Sequence, residues 1–221
     1  MDNWGLANEF VASADTSFKM LCLHLLEVAY CEIRDAQSVT CEWDENAITE
    51  ILGARMEGNP ESIQRFISVN VEKRLLDVDL FSVTSTVDDA PRIDIMIGGF
   101  TLSPNLARVH YYIEAKNLYC QDFIKSGNAS KTSSTTYAKR YIATGIDNLL
   151  NGHYPEETLL LGYVLNGTIQ GAVDKINVRL VTDNRKNESV STFFVQDFSH
   201  LVLGVSNHPN GMVLEHCFLQ F

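Results

Sequence analysis

The chain has 221 residues, 45% hydrophobic and 20% charged, which suits one sizeable globular domain or two very small ones. No apolar run approaches the roughly 20 residues that a membrane-spanning helix needs, and the first residues lack the basic and apolar regions of a signal peptide. The five scattered cysteines contain no CxxC pair, so we expect reduced thiols in a cytoplasmic protein without a membrane partner. The net charge of −11 argues against strong nucleic-acid binding by the chain alone.

The first third of the chain predicts two helices followed by a strand. Apolar residues at helical spacing indicate a helix over 16–35. The same spacing indicates a second helix over 44–59, with Asp44 as its cap and Gly58 as its stop. Alternating apolar residues then favour a strand near 66–75.

Two clearer strands follow, and both carry charged residues. RIDIMIGG, over 92–99, places its isoleucines on one face and Asp94 on the other. VHYYIEAKN, over 109–117, places Glu114 and Lys116 together on one face because strand side chains alternate with a period of two. If these strands are neighbours, the three charged groups fall within one small patch.

The rest of the chain alternates helices and strands. Helical spacing, a continuous apolar run and turn signals predict helices over 137–150 and 168–181 and strands over 159–167, 191–196, 201–206 and 212–221. This order predicts an α/β fold, a three-layer sandwich in which helices flank a central mixed sheet. We expect residues 1–221 to form a single domain.

The patch of Asp94, Glu114 and Lys116 is chemically unusual because unpaired buried charges cost several kcal/mol each. Two carboxylates suit a hard cation such as Mg²⁺, which prefers oxygen ligands and keeps several waters. Lys116 would offset the carboxylate charge and position or deprotonate an attacking water. Phosphodiester hydrolysis needs these parts: a metal, an activated water and a positive group near the anion.

The residues PRIDI and YIEAK together resemble the motif of the PD-(D/E)xK nuclease superfamily. Pro91 lies three positions before Asp94 rather than beside it, and 19 residues separate Asp94 from Glu114. The resemblance implies a restriction-endonuclease-like fold and a Mg²⁺-dependent endonuclease acting on DNA, with Mn²⁺ as a substitute and with roles such as restriction or phage defence. Asp94 and Glu114 would hold the metal, and Lys116 would orient the water and stabilise charge.

The resemblance also implies a further acid on a helix before the sheet. Glu45, near the start of the second predicted helix, is the preferred candidate for this catalytic role; Glu50 and Glu72 are alternatives. Glu45 would also favour the helix start simply through its negative charge.

The only basic stretch of the chain, residues 108–140, holds six basic and two acidic residues. The resemblance implies that the helix after the ExK strand presents polar groups to phosphate, so the substrate-binding candidates are Lys139 and Arg140, with Lys125 and Lys131 in the preceding loop. A plain solvated surface would explain the same residues.

Two other functions stay open on the sequence. A binding or regulatory subunit would keep the fold without cleaving, and would need a basic partner protein or a homodimer to bind DNA despite the net negative charge. A ribonuclease is the second alternative, although no RNP-type aromatic motif is present. Glu114 and Lys116 would also fit a simple surface ion pair.

Overall fold

The computed structural model describes residues 4–75, 91–100, 108–126 and 131–221, with side chains from residue 16 onward. The connection between the two clear strands, over 101–107, lies outside the described residues. Six α-helices, a π-helical turn and a 3₁₀ turn are present in the described ranges. They are α1 (Trp4–Asp35), α2 (Glu45–Gly58), α3 (Pro60–Gln64), α4 (Ser134–Arg140), the π turn (Tyr141–Ile146), α5 (Asp147–Leu150), α6 (Ile169–Thr182) and the 3₁₀ turn (Lys186–Glu188).

The described strands form one large sheet and one small ribbon. The strands are β1 (Ser68–Arg74), β2 (Arg92–Phe100), β3 (Arg108–Tyr119), β4 (Phe123–Ile124), β5 (Lys131–Thr132), β6 (Leu159–Asn166), β7 (Ser191–Phe193), β8 (Val202–Asn207) and β9 (Val213–Gln220). The large sheet has the order β1-β2-β3-β6-β9-β8-β7, and β4 pairs with β5 apart from it.

The seven-stranded sheet is mixed. The central strands β3, β6 and β9 run parallel to one another. The outer strands pair antiparallel, β1 with β2 and β2 with β3 on one side, and β7 with β8 and β8 with β9 on the other. Residues of β6 are buried along almost the whole strand, as expected for a strand covered on both faces.

Helices cover both faces of the sheet. Apolar residues of α1 and α2 pack on one face, and those of α4, the π turn and α6 pack on the other. The predicted α/β class with a mixed sheet and packed helices is confirmed. None of the helices in the described ranges has the length and apolar character of a membrane-spanning segment.

Several boundaries differ from the sequence predictions. Helix α1 begins at Trp4, before the predicted 16–35, since no proline interrupts the preceding residues. The predicted helix over 137–150 begins at Ser134 and is divided by the π turn. Strand β7 is shorter than the predicted 191–196 and lies at the sheet edge with a single neighbour.

The ladder around β2 is irregular at Asp94. Val71 pairs with Ile95 and Lys73 with Ile93, but the intervening pair of Glu72 with Asp94 is missing, and Glu72 has a φ of 52°. The prediction that all three isoleucines of β2 share one face is therefore wrong, since Ile93 packs with the opposite core cluster from Ile95. A left-handed residue breaks the regular alternation of the pleat at this point.

Candidate functional site

The candidate site lies where β2 and β3 separate. Their ladder reaches as far as the pair of Ile95 with Ile113, and beyond it β3 pairs with β6. At this fork the carboxylate of Asp94 takes the place of a strand partner: its Oδ2 accepts a hydrogen bond of 2.6 Å from the backbone N–H of Ala115. The fork thus brings Asp94 beside Glu114 and Lys116.

The ammonium of Lys116 is the centre of the site. Its Nζ lies 2.5 Å from Glu114 Oε1, 3.3 Å from Glu45 Oε1 and 3.6 Å from Asp94 Oδ2. It also donates to the carbonyl oxygen of Ala115 at 2.6 Å. All four charged residues are at most 9% exposed, so the cluster is a buried network and not the surface ion pair that the sequence left open.

Glu45 reaches the site from the first turn of α2. Asp44 caps this helix by accepting a hydrogen bond of 2.8 Å from Ala47 N, as predicted, which fixes the position of the following residue. Oε1 of Glu45 faces Lys116, and Oε2 accepts a hydrogen bond of 3.0 Å from the backbone N–H of Asn117. Glu50, the alternative on the same helix, is exposed.

Glu72, the other alternative, is a neighbour of Asp94 and not of the lysine. It is half-buried in β1, and its negative charge contributes to a raised pKa of Asp94. The structure thus places Glu45 at the ion cluster and Glu72 at its edge.

Burial and mutual repulsion shift the acids of the cluster upward. Burial, followed by the charge of Asp94, raises the pKa of Glu114 to about 8 even though Lys116 opposes this shift. Burial also raises the pKa of Asp94. Burial alone would lower the pKa of Lys116, but the negative charges of Glu114, Asp94 and Glu45 outweigh it and raise that pKa above its usual range.

These shifts define the charge states near neutral pH. Lys116 stays protonated, so it acts as a cation and hydrogen-bond donor and does not deprotonate water in this arrangement. The pKa of Glu114, about 8, lies near neutral pH, so this carboxyl exchanges a proton there.

Two buried oxygens at the site lack partners in the described part of the chain, Oε2 of Glu114 and Oδ1 of Asn117. An unpaired buried acceptor is costly, and the neighbouring donors are the hydroxyls of Tyr154 beside Glu114 and of Tyr119 beside Asn117. Carboxylate and amide oxygens suit Mg²⁺ by their chemistry. Among the described residues, however, no three acidic, histidine or cysteine side chains are arranged to hold a metal ion. The carboxylates converge on the Lys116 ammonium instead, so a divalent cation fits only where that ammonium moves aside.

The predicted substrate-binding residues are engaged to different degrees. Arg140, at the end of α4, places its Nη2 3.4 Å from Glu45 Oε1 and so borders the cluster, while Lys139 is exposed beside it. Lys131 pairs with Asp122 at 2.9 Å, and Lys125 donates to the carbonyl oxygen of Glu42 at 3.0 Å. These two lysines anchor the segment before α4 and are not brought to the ion cluster.

Asn117 and Tyr154 are site residues that the sequence reasoning missed. Asn117 follows the ExK segment; its Nδ2 donates to Trp43 O, and its backbone N–H holds Glu45. The pKa of Tyr154 is raised to about 12, first by burial and then by the charge of Glu114. Alternation along β3 places Asn117 on the face opposite Lys116, and no local pattern marks Tyr154, which lies in the loop before β6.

Comparison with protein-family models, with curated proteins and with solved structures gives no match. The geometry of the site is therefore the basis for inferring the function of the protein.

Proposed function

We propose that the protein is a metal-dependent endonuclease that hydrolyses DNA phosphodiester bonds on a restriction-endonuclease-like core. One observation carries this proposal: Asp94, Glu114, Glu45 and Lys116 are buried together at the fork of β2 and β3. Strongly shifted pKa values cluster at functional sites, and this buried group of three acids around one lysine has them.

Asp94 and Glu114 would hold the Mg²⁺, whose charge would stabilise the phosphate and lower the pKa of a water. The backbone N–H of Ala115 orients Asp94, and the backbone N–H of Asn117 orients Glu45. Lys116, which stays protonated, supplies positive charge next to the scissile phosphate. Arg140 and Lys139 at the end of α4 supply further positive charge at the rim.

Incubation of supercoiled plasmid with the purified protein and Mg²⁺ or Mn²⁺ tests the proposal. We expect nicking by the wild type and a loss of about 100-fold or more in Asp94→Asn, since removal of one group that stabilises the transition state has this effect. Glu50→Gln, an exposed acid on the helix that carries Glu45, is the matched control and should cleave normally. Intact plasmid with both cations and a folded wild type would overturn the proposal, and cleavage of RNA alone would identify a ribonuclease.

Cation binding can be measured without catalysis. We expect Mg²⁺ to raise the melting temperature more at pH 8.5 than at pH 6.5, because the pKa of Glu114 is about 8 and the cation competes with its proton. An equal shift at both pH values, or none, would contradict cation binding by Glu114.

A second candidate is a non-cleaving DNA-binding or regulatory subunit, favoured by the position of the Lys116 ammonium 2.5 Å from Glu114. Cleavage by the wild type separates the two, and Lys116→Met then tests the role of the lysine. For an ion cluster that only stabilises the fold, removing the lysine should lower the free energy of unfolding by about 3–5 kcal/mol in urea denaturation and leave DNA binding unchanged. For the nuclease, the same variant should also abolish plasmid cleavage under conditions in which it is folded.

A further inference from the structure

A second buried polar cluster joins β8, β9, the 3₁₀ turn and the π turn, and it plays no part in the proposed chemistry. Glu188 Oε2 lies 2.6 Å from His208 Nδ1, and His208 Nε2 lies 2.8 Å from Ser206 Oγ. The same Ser206 Oγ lies 2.8 Å from His216 Nε2, and His216 Nδ1 lies 2.9 Å from the Tyr141 hydroxyl. Five side chains thus form one continuous hydrogen-bonded chain.

Burial excludes a hydrolytic role for these five side chains. Ser206, His208 and Glu188 have the connectivity of a nucleophile, base and acid, but Ser206 and His216 are fully buried and His208 is 6% exposed. A substrate cannot reach the Ser206 hydroxyl, so these hydrogen-bonded side chains must act on the structure around them.

The hydrogen-bond chain has one proton order that satisfies all its members. The Glu188 carboxylate accepts from His208 Nδ1–H, which leaves His208 Nε2 to accept from the Ser206 hydroxyl. Ser206 Oγ then accepts from His216 Nε2–H, and His216 Nδ1 accepts from the Tyr141 hydroxyl. Burial lowers the pKa of His216 to about 3, so this ring is neutral as the order requires.

A salt bridge closes the chain into a ring. Arg185 donates to both carboxylate oxygens of Glu188, at 3.0 and 2.7 Å, and its Nη1 donates to Asp147 Oδ1 at 2.7 Å. Tyr141 is the first residue of the π turn, and Asp147 directly follows its last residue. The side-chain contacts therefore begin at Tyr141 and end at Asp147, at the two ends of the same six-residue turn, whose backbone completes the ring.

A turn with i→i+5 bonds is rare and is frequently found at functional sites. Arg140 immediately precedes the π turn, and the Arg140 guanidinium lies 3.4 Å from Glu45 Oε1. We propose that the ring of Tyr141, His216, Ser206, His208, Glu188, Arg185 and Asp147 is a positioning device that fixes the π turn and thereby places Arg140 against Glu45. The importance of this position for catalysis rests on the proposed nuclease function.

Two variants open the ring at different points. Asp147→Asn removes the partly exposed ion pair, and Tyr141→Phe removes the buried phenol hydroxyl with little change in shape. Asp183→Asn, which removes an ion pair of Arg179 with similar exposure on α6, is the matched control. We expect both ring variants to speed amide hydrogen exchange over 141–147 roughly tenfold, the effect of losing one net hydrogen bond from a local opening unit. The control should not change it.

Two NMR measurements distinguish positioning from simple packing. The amide resonance of Asn117, which donates to Glu45, should shift in both ring variants and stay in place in Asp183→Asn. In the wild type, His208 should carry its proton on Nδ1 and His216 on Nε2. Unchanged exchange and an unchanged Asn117 resonance in both ring variants, or the reverse tautomer at His216, would overturn the inference. A wild type that cleaves no plasmid overturns the nuclease function instead, because these readouts do not depend on activity.

Discussion

At the scale of single residues, Lys116 explains how three acids can be buried together. An isolated buried carboxylate carries a large desolvation cost, and the ammonium at the centre offsets part of it for each neighbour. The offset is incomplete at Glu114, whose Oε2 has no partner in the described ranges and whose pKa is raised by burial to about 8.

Glu114 should make stability depend on pH. Between about pH 4.5 and 8 the folded protein keeps the Glu114 proton while the unfolded chain loses it, so the free energy of unfolding falls as pH rises through this window. In metal-free buffer we expect a slope of at most about 1.4 kcal/mol per pH unit from this group, absent in Glu114→Gln. Urea denaturation from pH 5 to 9 measures it, with Glu50→Gln as the control. Parallel curves for wild type and Glu114→Gln would contradict the raised pKa.

At the level of helices and strands, two glycines have different structural roles. Helix α2 ends at Gly58 as predicted, but Gly58 has no left-handed backbone; the stop comes from Asn59, extended before Pro60. Strand β6 meets its neighbours closely at Gly162, where an added Cβ would lie 2.7 Å from Leu118 Cδ1 and from Phe218 Cδ1. The side chain missing at Gly162 leaves room for Leu118 and Phe218, which belong to the core cluster that α4 and the π turn cover.

The two glycines therefore respond differently to alanine. Gly162→Ala should lower the free energy of unfolding by about 1–3 kcal/mol through overpacking. Gly58→Ala, with no atom within 4 Å of its added Cβ, should be neutral or stabilise by up to about 1 kcal/mol through helix propensity. Urea denaturation of both variants compares them directly. A Gly162→Ala variant as stable as Gly58→Ala would show that the core beside β6 is loosely packed.

At the scale of the whole molecule, charge opposes DNA binding. The net charge is −11, and several cations of the basic segment 108–140 are already engaged: Lys116 pairs with the three acids, Lys131 with Asp122 and Arg140 with Glu45, while Lys125 donates to the backbone carbonyl oxygen of Glu42. Few cations are left to neutralise phosphates, so a single copy should bind duplex DNA weakly. A homodimer or a basic partner protein would supply the missing charge.

Salt titration tests this view. Fluorescence anisotropy with a short duplex and metal-free protein should show only about a tenfold loss of affinity between 50 and 200 mM salt, the value for about two phosphate contacts. Lys139→Gln should reduce the slope of log affinity against log salt concentration by the amount that corresponds to about one phosphate contact. The control Lys175→Gln on α6 should leave this slope unchanged. A loss of roughly a thousandfold or more would show that many phosphates are contacted, as in an assembly of copies.

Local sequence patterns are enough to predict the α/β class and the shared face of Glu114 and Lys116, because helical and strand periodicities depend on residues a few positions apart. The sequence also predicted Asp94 and Glu45 as members of the site, with the help of a family resemblance. Only the three-dimensional arrangement shows that the Lys116 ammonium lies among three acids, that Lys125 and Lys131 anchor a loop, and that Tyr141 joins a histidine chain ending near Arg185. These contacts join residues far apart in sequence, so they depend on strand register and helix placement, which no local pattern encodes.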